Sequence, residues 1–267
     1  MTNIHSPSVR KPAVAGLFYP AGAQQLSDDV QRLMLETEQY TLTPKALIVP
    51  HAGYIYSGAI AATAYRTLHA VAKTVERVVL LGPSHRVRVH GLALPGAEYF
   101  DTPLGSVEVD IEAVRSISDL PQVITNPEAH ELEHSLEVQL PFLQQVLGGF
   151  KVLPLAVGMA SAKDVAEVLD RVWGDDKTLI VISSDLSHYL PYTVAQQVDS
   201  ATVQSILQLK LPIAHDQACG ATPVSGLIVA ARKHHLKPYL LDLRNSGDTA
   251  GSRDQVVGYA AIAFCQN

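Results

Sequence analysis

Side chains capable of chemistry recur in this sequence directly after short apolar runs. "KALIVP" (45–50) is followed by His51, and "RVVLLG" (77–82) runs into "PSHR" with His85. "TLIVISS" (178–184) runs into "DLSHY" with Asp185 and His188, and "YLLDL" (239–243) into "RNSGDTAG" with Asp248. "EHSLEVQLPF" (133–142) adds His134 and Glu137, three apart and so on one face of an expected helix start. Two imidazoles and a carboxylate with positions left open suit non-haem Fe(II), and the same set can hold catalytic Zn²⁺. Further His and Asp residues nearby would orient ligands or act as general acids and bases. The spacing matches no local zinc motif such as HExxH, so the signal lies in its repetition at run ends.

Each residue also has a plainer reading. Asp185 could be a helix N-cap, and Glu137 could support a helix N-terminus electrostatically. Tyr54 and Tyr56 could be core aromatics, although their place beside His51 suggests a rim role and makes Tyr54 a candidate substrate contact. His5, His69, His90, His215, His234 and His235 read as loop residues. Cys219 reads as a buried structural thiol because no His/Asn partner pattern surrounds it, and Cys265 reads as inert. "NSGDTAGSRD" is glycine-rich but lacks the Gly-Lys-Ser/Thr of a phosphate-binding loop.

The elements that must position these residues follow from the hydrophobic pattern. Runs at 45–50, 77–82, 151–158, 178–184, 239–243 and 256–264 are rich in Val, Ile and Leu without strict alternation, as in strands covered on both faces. Helical patterns at 23–39, 57–72, 135–147, 161–173, 194–209 and 223–235 lie between them. That alternation predicts a three-layer α/β/α fold around a largely parallel sheet, formed as a single domain over 1–267. Residues 89–110 read as an inserted β-rich excursion, a hairpin at the sheet edge. If the strands are parallel, the loops after them open on one rim, where ligands bind in open α/β sheets. Gly53 and Gly58 would let the chain turn there, and Ser57 would cap the following helix, leaving free N–H groups for an anion.

Bulk properties exclude other classes. Of 267 residues, 47% are hydrophobic and 17% charged, which supplies a substantial core and argues against disorder. A net charge of −6 without a basic patch argues against a nucleic-acid binder. No apolar run is long enough for a membrane helix, and the N-terminus lacks a signal-peptide core. With two cysteines, a disulfide scaffold is not expected and a cytoplasmic location is.

Taken together, "VRKPAVAGLFYP", "PHAGYIYSG", "GPSHR", "FDTPLGSVEVD", "EHSLEVQLPFLQ", "SSDLSHY" and "NSGDTAG…VVGYAA" resemble the Memo family, including its bacterial AmmeMemoRadiSam-system protein B members. The resemblance runs from about residue 9 to the C-terminus, and the family is similar in fold to class III extradiol dioxygenases, which are non-haem iron enzymes. It implies that His51 and His85 are metal ligands. It also implies that Asp185, His188 and His134 are catalytic groups at the same pocket; Glu137, on the His134 segment, is a further candidate substrate contact. Animal members carry a cysteine near the position where this chain reads "SGDTAG". Asp248 is the nearest capable residue here and the expected third ligand, while a one-residue shift would place Thr249 there. A His₂Asp set favours Fe(II), with Zn or Cu as alternatives. The implied activity is dioxygenase-like or otherwise redox on a small substrate. The alternatives are a zinc hydrolase and a metal-independent module that binds a peptide or protein in the same cleft. The system name implies a radical-SAM enzyme and an AMMECR1-like protein as partners.

Overall fold

A computed structural model describes residues 7–266; His5 lies outside them. The chain begins with β1 (Val9–Arg10), α1 (Ala23–Leu35), β2 (Pro44–Val49) and α2 (Tyr54–Arg66). Next come β3 (Arg77–Pro83), β4 (Leu92–Leu94), β5 (Tyr99–Thr102), β6 (Gly105–Glu108), α3 (Ile111–Ile117) and β7 (Val123–Thr125). The middle of the chain forms α4 (Glu128–Glu131), α5 (Leu140–Val146), β8 (Lys151–Val157), α6 (Ala162–Arg171) and β9 (Thr178–Ser183). It ends with β10 (His188–Leu190), α7 (Tyr192–Leu207), α8 (Ala221–Lys233), β11 (Leu236–Asn245) and β12 (Val256–Gln266).

The main sheet has the order β10-β12-β2-β9-β3-β8-β4-β7, with β11 on the far side of β12. Its centre is parallel as expected: β2 with β9, β9 with β3, and β3 with β8. Its flanks depart from the expectation, because β12 pairs antiparallel with β2 and β11, and β4 antiparallel with β8. The central strands are buried throughout, which is why they lack polar alternation. Along β2, Leu47 and Val49 pack on one side with α1, α2 and α5, while Ala46 and Ile48 pack on the other with α6 and α8. The result is the three-layer arrangement. The 89–110 excursion splits: β4 joins the main sheet, and the β5–β6 hairpin pairs with β1 in a separate three-stranded sheet. Among the described residues no helix is long and apolar enough to cross a membrane.

Two local expectations change. Helix α2 starts at Tyr54, three residues before Ser57, and has no side-chain cap. The Phe18 carbonyl accepts from the Tyr54 amide at 2.8 Å, which satisfies one of the orphan donors of the first turn, and Ser57 donates to the Ala52 carbonyl instead. Gly58 makes no turn: it lies inside α2, where an added Cβ would come within 3.0 Å of Leu33 on α1. It is small because two helices touch there.

Glu137, expected beside the substrate, is fully buried. Its carboxylate pairs with Arg10 and accepts from the Ala13 and Val14 amides at 2.7 and 3.0 Å and from the Tyr19 hydroxyl at 2.5 Å. It therefore ties the N-terminal strap, residues 10–19, to the segment that follows His134. Tyr54 is likewise a core residue, donating to the Val138 carbonyl at 2.7 Å. Removing one partner of a buried ion pair leaves a charge without compensation. Arg10→Ala should lower unfolding free energy by about 3–5 kcal/mol, measurable by urea denaturation of the metal-free protein.

Candidate metal centre

Strands β2, β9 and β3 are adjacent and parallel, so their carboxyl ends deliver His51, Asp185 and His85 to neighbouring points on one rim. His134 comes from elsewhere, on the segment between α4 and α5. Gly82 admits that segment: an added Cβ would lie 2.7 Å from the Ser135 hydroxyl, which itself donates to the Pro83 carbonyl at 2.9 Å. His134 is thereby laid against His85, with ring centroids 4.7 Å apart and planes inclined by 18°. The His51 ring meets both edge-on, at 5.2 and 5.4 Å. One ligand atom from each of His51, His85 and His134 lies within 4.8 Å of the other two, which makes this a group that could hold a metal ion.

The ring orientations are set by hydrogen bonds on the nitrogens facing away from the shared space. The Ser183 hydroxyl donates its one hydrogen to the Ser135 carbonyl at 2.5 Å. It must therefore accept from His51 Nδ1, 2.9 Å away, which puts the His51 hydrogen on Nδ1 and leaves Nε2 as the free donor atom. Glu133 stands behind the other two rings, hydrogen-bonded to His85 and close to His134. Its Oε1 is 2.9 Å from His85 Nδ1 and 3.4 Å from His134 Nδ1; the Ser135 amide donates to Oε1 at 2.8 Å and the His85 amide to Oε2 at 2.6 Å. Burial would raise the Glu133 carboxyl, but the His85 ring and these amides overcome it and hold it at about 2. A fixed anion behind two ring nitrogens is the arrangement found behind metal-ligating histidines. Arg10 holds this segment from outside, donating to the His130 carbonyl at 3.0 Å and the Glu133 carbonyl at 2.6 Å.

The electrostatics suit cation binding. Burial pushes His51 well below the usual imidazole value, helped by the neighbouring His85, His134 and His188. Burial likewise takes His134 down to about 4. Both rings are then neutral at physiological pH, as ligation requires. Asp185 is no helix N-cap. Its Oδ1 accepts from the His51 amide at 2.7 Å, its Oδ2 lies 3.9 Å from His51 Nε2, and burial raises it to about 7.

Asp248 does not join this group. Its carboxylate accepts from the Tyr192 hydroxyl and from the Asn245 amide at 3.0 Å, closing a short turn after β11. Its strand does end on the same rim, but β12 lies between β11 and β2. Two strand spacings, roughly 10 Å, separate it from His51. The expected His51–His85–Asp248 set is thus replaced by His51–His85–His134, and His134 moves from an expected catalytic group to a candidate ligand. Thr249 lies in the same displaced loop, its hydroxyl on the Ser246 carbonyl. His188 is exposed at the rim, with Nδ1 on the Leu186 carbonyl at 2.9 Å.

Three contributors lay outside the sequence reading. Glu133 was visible only as part of a crowded acidic and imidazole stretch, and its adjacency to His134 was the available signal. Arg10 and Ser183 carried none. Cys219 does have a histidine partner: its Sγ lies 3.3 Å from His51 Nε2, and burial with the nearby Asp185 raises the thiol to about 12.

Glu133→Gln should weaken divalent metal binding by roughly 10–100-fold while leaving one-to-one stoichiometry, as titration calorimetry would show. An unchanged affinity would remove Glu133 from the site. A pH effect follows separately. Burial holds His130, like His134, at about 4. The folded chain therefore leaves His51, His130 and His134 unprotonated where the unfolded chain, titrating near 6.5, protonates them. Asp185 opposes this over the same window, because it stays protonated in the folded state up to about 7. His188, lowered by burial, acts with the three histidines, and Asp199, raised by burial, acts with Asp185; four groups outweigh two, so the metal-free protein should lose stability as pH falls from 6.5 toward 4. The urea midpoint at pH 5 should lie below that at pH 7.

Comparison with known proteins places this geometry in a family. A family model described as "Memo-like protein" matches residues 10–263. A "MEMO1 family protein" of Aquifex aeolicus is 38% identical, over 96% of this chain and 99% of that one. Its counterparts in Archaeoglobus fulgidus and Metallosphaera sedula are 35% and 34% identical, each over 96% of this chain and 99% of theirs. Among solved structures, uncharacterized protein JW3007 of Escherichia coli K12 superposes with a TM-score of 0.56 at 13% identity, covering 82% of this chain and 98% of that one. That likeness is one of fold. The match to the family model over nearly the whole chain, and the full-length relatives, show that this chain belongs to the Memo-like protein family.

Proposed function

We propose that this chain is a mononuclear metalloenzyme in which His51, His85 and His134 hold one divalent ion and Asp185 manages a proton beside it. The observation that carries the reading is the convergence of three imidazoles whose Nδ1 atoms all face Ser183 or Glu133, which turns the remaining ring nitrogens toward one space. A cleft built only to hold a peptide has no use for that orientation. A bound ion would supply Lewis acidity and, if it were iron, electron transfer. The chain's own part is to keep His51 and His134 neutral, to hold the orientation of the rings and to place a proton at Asp185 Oδ2. With Oδ1 engaged by the His51 amide and the carboxyl raised to about 7, Asp185 can give or take a proton near neutral pH.

A dioxygenase-like redox enzyme using Fe(II) is the form that the family resemblance supports. The loss of Asp248 from the set weakens the preference for a hard ion, because imidazole suits iron, zinc and copper alike. One observation favours a second reading, that of a zinc hydrolase: three histidines are themselves a known catalytic zinc set. Elemental analysis of tag-free protein purified without oxygen separates these. About one iron per chain supports the redox reading, about one zinc the hydrolytic reading, and no metal together with no uptake on titration overturns both. His134→Ala should lose the metal, whereas Asp248→Ala should retain it at wild-type affinity. The reverse pattern would restore the carboxylate triad.

A further inference from the structure

A cleft of about 310 Å³ opens beside the histidine group, with His85 and Cys219 in its wall. Cys219 is the residue whose sulfur touches His51 Nε2, so the cleft ends at the candidate metal ligands. Its other walls have two characters. Val87, Met159 and Pro223 are apolar, and Met159 is 57% exposed, so apolar surface is open to a ligand there. Arg88 and His215 make a polar side.

The charge pattern is one-sided. The chain carries 26 acidic against 20 basic residues, yet no Asp or Glu lines this cleft. Among the described residues Arg88 has no ion-pair or hydrogen-bond partner for its guanidinium. The residues on either side of it are nevertheless held. The Ser84 hydroxyl donates to the Val87 carbonyl at 2.7 Å, and the Met159 amide to the Val89 carbonyl at 2.8 Å. A pinned loop therefore presents an unpaired guanidinium, and such a group binds a carboxylate in two-point fashion.

We propose that this cleft takes a small organic carboxylate, its anionic group on Arg88, its apolar body along Val87, Met159 and Pro223, and its far end at the histidine group. The inference deepens the metal reading by naming a substrate class for that site, and Arg88 becomes the residue that selects it. The apolar wall and the single guanidinium favour a monoanion over inorganic phosphate. The volume lies at the lower end of the range for ligand pockets, which limits the ligand to a small acid.

The test uses the full chain in two arms. In the first, metal-free protein is titrated calorimetrically with phenylacetate, benzoate and 4-methylpentanoate, each beside its neutral amide, and with inorganic phosphate. At least one acid should bind one-to-one and about tenfold or more tighter than its amide. Arg88→Gln should abolish that difference while leaving amide binding and the circular dichroism spectrum unchanged. No discrimination by any acid, a preference for phosphate, or discrimination that survives in Arg88→Gln would overturn the proposal. In the second arm, the preferred acid should change the visible spectrum of Co(II)-loaded wild type, whereas a fully loaded protein with an unchanged spectrum would show that the cleft does not serve the metal. Failure of Co(II) to bind at all would count against the metal reading alone, because the first arm needs no metal.

Discussion

The buried carboxylate of Glu133 is the constraint around which the site is organised. An ionised group with almost no solvent contact is tolerated only if its surroundings supply hydrogen bonds and opposite charge. Here the His85 ring nitrogen and two backbone amides donate to it, with the His134 ring close behind, and the carboxyl stays ionised down to about pH 2. Few conformations of residues 130–137 can satisfy that demand, so the demand itself selects one. Arg10 reinforces it by gripping two carbonyls of the same segment while neutralising Glu137. The N-terminal strap is therefore part of the site's foundation although it contributes no ligand.

The sheet supplies the other half of the construction. Adjacent parallel strands end at neighbouring points, so His51 and His85 need no long loops to meet, and little conformational entropy is lost in bringing them together. Ser183, the last residue of the strand between them, turns the His51 ring. A single hydroxyl accepts from His51 and Gln139 and donates to Ser135, linking β2, β9 and the His134 segment in one network.

Two carboxylates a short distance apart are driven in opposite directions. Glu133, surrounded by donors, stays ionised, whereas Asp185, buried with fewer of them, holds its proton to about pH 7. Divergent environments of this kind assign roles: a permanent anion to hold ligands and a titrating acid to exchange protons. On the open side, the cleft that holds Arg88 and Met159 has His85 in its wall.

The sequence by itself determined the fold class, the rim, and His51, His85 and Asp185 upon it. Unbroken Val/Ile/Leu runs are legible as doubly covered strands, and a polar residue at a strand's end is displaced from the core whatever the strand's neighbours are. Strand order is not written in such runs. Asp248 looked equivalent to the others because its run is equally apolar and its loop ends on the same rim. Only pairing decided that β12 would stand between it and His51. The same holds for residues whose task is to satisfy a buried partner. Glu137 was read beside the substrate and Cys219 as a thiol without a partner. Arg10 and Ser183 drew no notice, because a lone Arg, Ser or Glu has no periodicity to betray it. Their roles arise from burial and from groups up to 168 positions away, as for Cys219 and His51. A hydrogen bond across that separation exists only once the backbone has brought its two ends together, so tertiary structure alone decided which imidazoles converge and what holds them there.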